Sequence, residues 1–323
     1  MKTGEMTRKK MSGDTLNRYI LIILLVAEIG IFSFVSPYFL TIKNVFSILL
    51  NISVLGIVSI GQTLCILTAD FDLSVGGAAC FTGVMMGFFF VKLGLPYGIA
   101  LVLALAVAAL IGFVNGILIT KVKINAFITT MATNFMLGGM VLLVSGGQAI
   151  LVSDKIFGLL GKTTFTAIKI PLPMIILIIL FLIFAWILRN TVFGRHVYCI
   201  GGNAESAKIA GINIDRVKII VYVLSSTLSG FAGIVLASRM AAAQISVGTT
   251  YGMESIAGTV LGGTILAGGK GNMLTTLVGV LITGILSNGL TMIGASQAWR
   301  DIATGLLLIF AIIMQNTTSK IRR

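Results

Sequence analysis

Two stretches of the sequence approach the spacing of a loop that cradles nucleotide phosphates, in which glycines let backbone N–H groups close on the anion and a lysine follows the last glycine. Gly161, Lys162 and Thr163 supply the closing G-K-T, but Ile156 stands where the first glycine belongs. Gly269 and Lys270 have Thr264 at that position and are followed by Gly271 where a hydroxyl residue is required. Neither stretch can grip a triphosphate, so this chain is expected to hydrolyse no ATP itself. Thiols and imidazole are no better placed for chemistry. Cys65 and Cys80 fall in apolar runs, Cys199 lies in a basic loop, and the lone histidine, His196, has no nucleophile or ligand near it in sequence. That leaves no metal or disulfide spacing, and no catalytic residue, metal or cofactor is assigned to the chain.

What remains are uncharged polar groups set inside apolar runs: Asn51, Gln62, Asn115, Asn134 and Asn288, with Thr129, Thr130, Thr133, Ser225, Ser226, Thr227 and Ser229. In lipid such groups turn to the bundle interior or to a cavity. They act either as interhelical hydrogen bonds, worth ~0.6 kcal/mol on average, or as the lining of a path. Away from their ends the runs hold no Asp, Lys, Arg or His that could relay protons; Glu28 is the titratable exception in their interior. Asp70 and Asp72 flank Phe71 ahead of Ser74 and two glycines, where Asp72 either caps the next helix or belongs to a gate or partner contact.

The elements that must position these groups follow from composition. Of 323 residues, 57% are hydrophobic and 10% charged, against about 45–50% and about 25% in soluble domains, so the bilayer is the solvent. A span needs about 20 mainly apolar residues. Apolar windows and their polar breaks predict ten spans, at 19–36, 45–69, 74–92, 96–119, 126–145, 171–189, 217–238, 253–269, 272–293 and 299–315. The expected fold is all-α, one polytopic bundle over 19–315 within a single domain of 1–323. The basic stretch with Arg8, Lys9, Lys10 and Arg18 before the first run resembles a signal peptide, but the run is long and no small-residue cleavage site follows, so it is read as an uncleaved span.

The net charge of +13 points to no nucleic acid, because its placement is that of an orientation signal. With ten spans, sixteen of the 23 lysines and arginines fall on one side, among them Lys121, Lys123, Arg189, Arg195, Lys208, Arg216, Lys218 and Lys270. That side and both termini are therefore expected in the cytoplasm. Glycines four apart (Gly83 and Gly87, Gly112 and Gly116, Gly258 and Gly262) allow helix backbones to approach closely, and packing inside one bundle is the favoured reading of all three pairs. On the outer side, Arg239 follows the seventh span, and Arg300 sits beside Trp299 at the start of the tenth. Each arginine is either a headgroup anchor or a docking charge for a partner.

Two connections are long: 146–170 outside and 190–216 inside. The second contains GGNAESAKIAGI from Gly201 to Ile212. Asn203 suits an N-cap, Ala204, Glu205, Ser206, Ala207, Lys208, Ile209 and Ala210 favour a short helix with Glu205 in its first turn, and Gly211 ends it. This helix either rests on lipid headgroups or forms a knob that docks into another protein.

Followed by Asn213, Ile214, Asp215, Arg216, Val217 and Lys218, the segment resembles the cytoplasmic coupling segment of ribose-type permeases in bacterial ATP-binding-cassette importers. DLSVGG at Asp72–Gly77, GTVLGGTILAGGKG at Gly258–Gly271 and GILSNGL at Gly284–Leu290 agree with it, and the likeness runs from the first apolar run to the last. The resemblance implies a multi-pass protein of the bacterial cytoplasmic membrane that pairs with a second permease subunit, identical or not. It implies a separate cytoplasmic ATPase that binds ATP and Mg and receives the helix Asn203–Gly211, and an external binding protein that delivers a monosaccharide. Phe71 before Asp72 and Asn272 after the glycine block depart from the sugar permeases, which leaves the solute open among ribose or a related sugar, a nucleoside, a branched-chain amino acid and a sugar-like signal molecule. An ion-coupled secondary carrier is the alternative outside that class.

Overall fold

The computed structural model describes residues 13–165 and 170–321. It is built of helices: α1 Gly13–Val35, α2 Ile42–Leu67, α3 Val75–Gly87, α4 Tyr97–Thr120, α5 Ala126–Ser145, α6 Leu159–Lys162, α7 Leu172–Asn190, α8 Val192–Gly202, α9 Ala204–Ile209, α10 Ile214–Met240, α11 Tyr251–Leu261, α12 Met273–Met292 and α13 Gln297–Ile321. A π-helical turn, Phe88–Lys92, prolongs α3. Eight of the helices are long and apolar enough to cross a membrane, and α1 carries a shorter apolar stretch, Tyr19–Val35. The chain is an all-α polytopic membrane protein. The basic residues Arg8, Lys9 and Lys10, together with Lys169, Arg322 and Arg323, lie outside the described residues.

One expected span is corrected. The eighth, placed at 253–269, is a helix of only 11 residues, α11, about 16 Å long at 1.5 Å per residue against a hydrocarbon core of about 30 Å. The chain then turns back through 262–272, where Gly263, Gly268 and Gly269 take φ of +87°, +85° and +71°, a region in which a Cβ is costly. Ile265 N–H donates to Lys270 O and Gly268 N–H to Ile265 O, both at 2.9 Å, closing the turn on itself. A hydropathy window counts these glycines as neutral; their backbone geometry is what ends the helix.

The centre of the bundle is α10, which packs most extensively on α4, α3 and α2. From Ile52 to Leu67 every residue of α2 is buried, and Val221, Tyr222, Ala232 and Val235 of α10 are fully so. The glycine pairs make this closeness possible. A Cβ on Gly112 would overlap the Tyr222 carbonyl and one on Gly233 the Ala79 carbonyl, while Gly258 and Gly262 lie against α12. Helices α4, α5, α7 and α13 turn large apolar side chains outward, among them Leu143 and Phe135 of α5, which is the arrangement lipid favours.

The described parts of the connection between α5 and α7, 146–165 and 170–171, are tied down. Strand β1, Ile150–Leu151, pairs antiparallel with β4, Ala242–Ala243, and β2, Thr164–Phe165, pairs with β3, Ile170–Pro171. Ser238 Oγ donates to Phe157 O at 2.5 Å and accepts from Gly161 N–H at 2.8 Å. The G-K-T fragment therefore packs its glycine on the end of α10.

Candidate coupling and translocation site

The segment between α7 and α10 is built from consecutive caps. Thr191 Oγ1 accepts Gly194 N–H at 3.2 Å to start α8, Asn203 Oδ1 accepts Ser206 N–H at 2.9 Å to start α9, and Asn213 Oδ1 accepts Arg216 N–H at 3.0 Å to start α10. Each satisfies a backbone donor that the first helical turn leaves free. Ala210 closes α9, and Gly211 follows with φ +80°. Ala207 is the buried residue of the short helix, its N–H bonded to Asn203 O at 3.0 Å, whereas Ala204, Glu205, Ser206, Lys208, Ile209 and Ala210 are exposed. Ile209 is 89% exposed.

Behind the tip, α8 is wedged against backbone. A Cβ on Gly201 would overlap both the Leu67 carbonyl at the end of α2 and the Gly269 N–H of the turn 262–272, two groups hydrogen-bonded to each other at 3.0 Å. Tyr198 Oη donates to Gly271 O at 3.0 Å. The α8–α9 segment thus reads the position of α2 and of the glycine turn directly, and it continues into the central helix α10.

On the same side, the connector 68–74 between α2 and α3 is held by a buried polar network. Asp72 is completely buried. Its Oδ1 accepts Ser74 N–H at 3.0 Å and Ser74 Oγ at 2.5 Å, and its Oδ2 accepts Ser225 Oγ of α10 at 2.7 Å. Asn115 Nδ2 of α4 donates to Ser74 Oγ at 3.0 Å, and Thr133 Oγ1 of α5 donates to Asn115 Oδ1 at 2.6 Å. Thr130 Oγ1 accepts Leu73 N–H at 3.1 Å, Asn134 Oδ1 accepts Gly77 N–H at 2.9 Å, and Tyr222 Oη donates to Phe71 O at 3.3 Å. Lys218, one turn into α10, pairs with Asp70 at 2.8 Å. Burial pushes the Asp72 carboxyl above the usual carboxylate range, and the bonds from Ser74 and Ser225 pull it back down. Ser74 is the N-cap residue of α3. Asp72 instead ties the connector to α10.

On the far side of the bundle, a cavity of about 420 Å³ is lined by Asn51, Tyr251, Glu254, Ser287, Thr291 and Arg300, among others. Arg239 Nη1 donates to Asn51 Oδ1 at 2.8 Å, and Arg300 Nη1 to Thr291 Oγ1 at 3.1 Å. Of the two arginines singled out in the sequence, Arg300 therefore lines this polar cavity, and Arg239 reaches it through its bond to Asn51.

The amides inside the helices separate into classes. Asn51 opens on the cavity. Asn115 and Asn134 belong to the connector network, and Asn288 exchanges reciprocal bonds with Asn44 at 3.0 and 3.1 Å. Gln62 is completely buried, and neither atom of its amide has a hydrogen-bond partner. This contrast gives a prediction. Asn288→Leu leaves Asn44 Oδ1 buried without its donor, while Asn44 Nδ2 keeps its bond to Phe39 O at 2.8 Å, so it should cost about 1–2 kcal/mol, whereas Gln62→Leu should leave thermal stability unchanged or raised. Equal losses of melting temperature in the two purified variants would contradict these assignments.

A family model described as branched-chain amino acid transport system, permease component, matches residues 44–312. The chain belongs to this permease family. It is 38% identical over 299 residues to the ribose import permease of Escherichia coli K12, covering 91% of this chain and 92% of that protein. It is 36% identical over 287 residues to the L-arabinose transport system permease of the same organism (89% and 87% covered) and 32% identical over 319 residues to the fructose import permease of Rhizobium meliloti (93% and 85% covered). No solved structure gives a significant match.

Sequence reasoning placed the permease's α9 and its cap but missed α8, the wedge at Gly201 and the role of Asp72. The signal for Asp72 was present: two acids at a span end, ahead of a serine and two glycines. Its decisive partner, Ser225, lies 153 positions away, and a single sequence does not encode that pairing.

Proposed function

We propose that this permease is the membrane-spanning subunit of an importer for a simple sugar, ribose or a related monosaccharide, driven by a separate cytoplasmic ATPase that binds ATP and Mg. The names of its relatives support a sugar as the solute, and the positive-inside count supports cytoplasmic termini. The observation that carries the mechanism is the α8–α9 segment. Its tip presents Ile209 to the cytoplasm as an unpartnered apolar anchor, while its base is locked by Gly201 to α2 and to the glycine turn. An ATPase that grips the tip, from Asn203 to Gly211, moves α10 with it. Through Asp72 and Ser225 that motion reaches the connector of α2 and α3, and alternating access follows from shifting these helices between two packings. The chain itself contributes a conduit and a lever and no covalent chemistry, since its two phosphate-loop fragments are incomplete.

The test is uptake of labelled ribose into vesicles holding this chain with its ATPase and binding protein. Uptake should require internal ATP and survive a proton uncoupler, because the spans lack a chain of titratable groups. Loss of uptake on uncoupling at constant ATP would favour an ion-coupled carrier instead. In the same vesicles Ile209→Asp should abolish ATPase capture in a pull-down while leaving membrane insertion intact, since the side chain touches little of its own fold. Unchanged capture would remove the tip from the interface. Gln62→Leu should lower uptake without loss of stability if that amide serves a passing hydroxyl.

A second reading has one observation in its favour. The outer cavity holds Glu254 and Arg300 together, charges of opposite sign that suit a zwitterion, and the family model is named for branched-chain amino acids. Leucine uptake exceeding ribose uptake in those vesicles would decide for it.

Arg239 and Arg300 are proposed to orient the loaded binding protein by meeting its acidic residues. Reversal of either to Glu should raise the half-saturating concentration of binding protein, more at low salt than at high. Arg239 also holds Asn51, so Asn51→Ala is the control: a like defect there would assign the loss to the cavity wall and not to docking.

A further inference from the structure

A cavity of about 650 Å³ opens at the end of the bundle that carries α8 and α9, between the last turn of α7, α8 and the first turn of α12. Arg189 and Arg195 line it, both exposed. Among the described residues the ion pairs use Lys121, Lys123 and Lys218, and neither of these arginines enters one. The remaining wall is largely apolar, with Trp186, Leu188, Met273 and Leu274. Tyr198 already spends its hydroxyl on Gly271 O, and Asn272 caps α12 through Leu274 N–H at 2.9 Å, so the polar floor is fixed.

The position of this cavity says what fills it. Ile179, Leu182, Trp186 and Arg189 follow one another at intervals of three and four along α7, on one helix face, and the first three are 50%, 57% and 61% exposed. An apolar stripe that faces lipid therefore runs straight into a guanidinium, and a second arginine, from α8, lines the same cavity. The end of α12 nearest the cavity is its N-terminus, whose partial positive charge adds to theirs. We infer that this cavity is a binding site for an anionic phospholipid of the phosphatidylglycerol class. Its phosphate lies between Arg189 and Arg195, and its acyl chain lies along Ile179, Leu182 and Trp186. Basic pockets between helices at the cytoplasmic boundary hold anionic headgroups in this way. A partner protein fits the observations less well, because an acidic surface would match the arginines but not the lipid-facing stripe that leads to them. Seated there, the lipid would brace α7 and α8 behind the coupling tip.

The experiment uses the full chain in a neutral detergent, with phosphatidylglycerol, phosphatidylcholine or inorganic phosphate added. Phosphatidylglycerol should raise the melting temperature, phosphatidylcholine should do so far less, and high salt should weaken the effect. Arg189→Gln and Arg195→Gln should each weaken apparent phosphatidylglycerol affinity about fivefold while eluting as folded protein on size exclusion. Native mass spectrometry should show one fewer retained phosphatidylglycerol in the double variant. Equal response to the two lipids, or an undiminished phosphatidylglycerol shift in the double variant, overturns the inference. So does a phosphate shift as large as the lipid's, which would mark a free-anion site. A double variant that loses ATPase capture but keeps its lipid response would assign the arginines to the protein partner and overturn the inference as well.

Discussion

Gly201→Ala is expected to reduce uptake by tenfold or more, while Gly202→Ala, one residue on, leaves it unchanged. The difference rests on what each new Cβ would meet. At Gly201 it would overlap the Leu67 carbonyl and the Gly269 N–H, both backbone groups and mutually bonded, so no side chain can rotate aside; at Gly202 nothing lies within 4 Å. Forcing a methyl group into a packed contact costs about 1–3 kcal/mol. Here the least costly escape is for α8 to lift away from α2 and the glycine turn, which unseats the coupling tip from the helices it moves. A coupling change of ~1–3 kcal/mol corresponds to about 5–150-fold. The measurement is ATPase activity in the assembled importer with and without loaded binding protein. Gly201→Ala should keep basal activity and lose the stimulation, because α9 and Ile209, the proposed docking surface for the ATPase, are untouched. A stimulated rate equal to wild type at Gly201→Ala, or the same loss at Gly202→Ala, would dismiss the wedge as a transmission contact.

What the sequence made legible divides along the range of the interactions involved. Asn203 and Gly211 were readable as the ends of a helix because a cap is a contact over three residues, written where it acts. The spans were readable because the bilayer imposes one length and one polarity on each of them. The eighth was read too long because Gly262, Gly263, Gly268 and Gly269 shorten α11 through backbone angles and close contacts, which hydropathy does not register. Asn288 was readable as a polar residue that needs a partner, yet Asn44, 244 positions away, was not among the residues proposed. Gly201 was given no role within its block, and its Cα is a contact surface for Leu67 and Gly269. Arg239 and Arg300 were placed on the outer side singly, and the cavity that brings them near Asn51 and Thr291 exists only in three dimensions.

Asp72 is the residue where that long-range information matters most, and its removal should have the largest effect on stability. Asp72→Ala leaves Ser74 N–H, Ser74 Oγ and Ser225 Oγ buried with no acceptor, each orphan costing about 1–3 kcal/mol, together with a cavity where the carboxyl was. The loss is partly offset because burial of the carboxyl is itself unfavourable. Asp72→Asn should recover much of the loss, since one amide oxygen still accepts from Ser74 and the amide nitrogen can donate to the Ser225 hydroxyl. The expected order of melting temperature is wild type, Asp72→Asn, then Asp72→Ala. Stability alone would not distinguish a lock on α10 from general packing, so the decisive measurement is a double-mutant cycle of Asp72→Asn with Ser225→Ala. Groups in contact couple by 0.5–3 kcal/mol, and independent sites add within about 0.5 kcal/mol. Coupling should appear in the cycle with Ser225→Ala and vanish in one with Asn288→Leu, whose amide belongs to a different pair. Uptake should follow the same order as stability, with Ser225→Ala lowering it even where the protein stays folded, because in the proposed mechanism this hydroxyl links α10 to the connector between α2 and α3. Additive effects at Asp72 and Ser225 would mean that α10 and the connector move independently, and the path of transmission would then have to run through Lys218 and Asp70 instead.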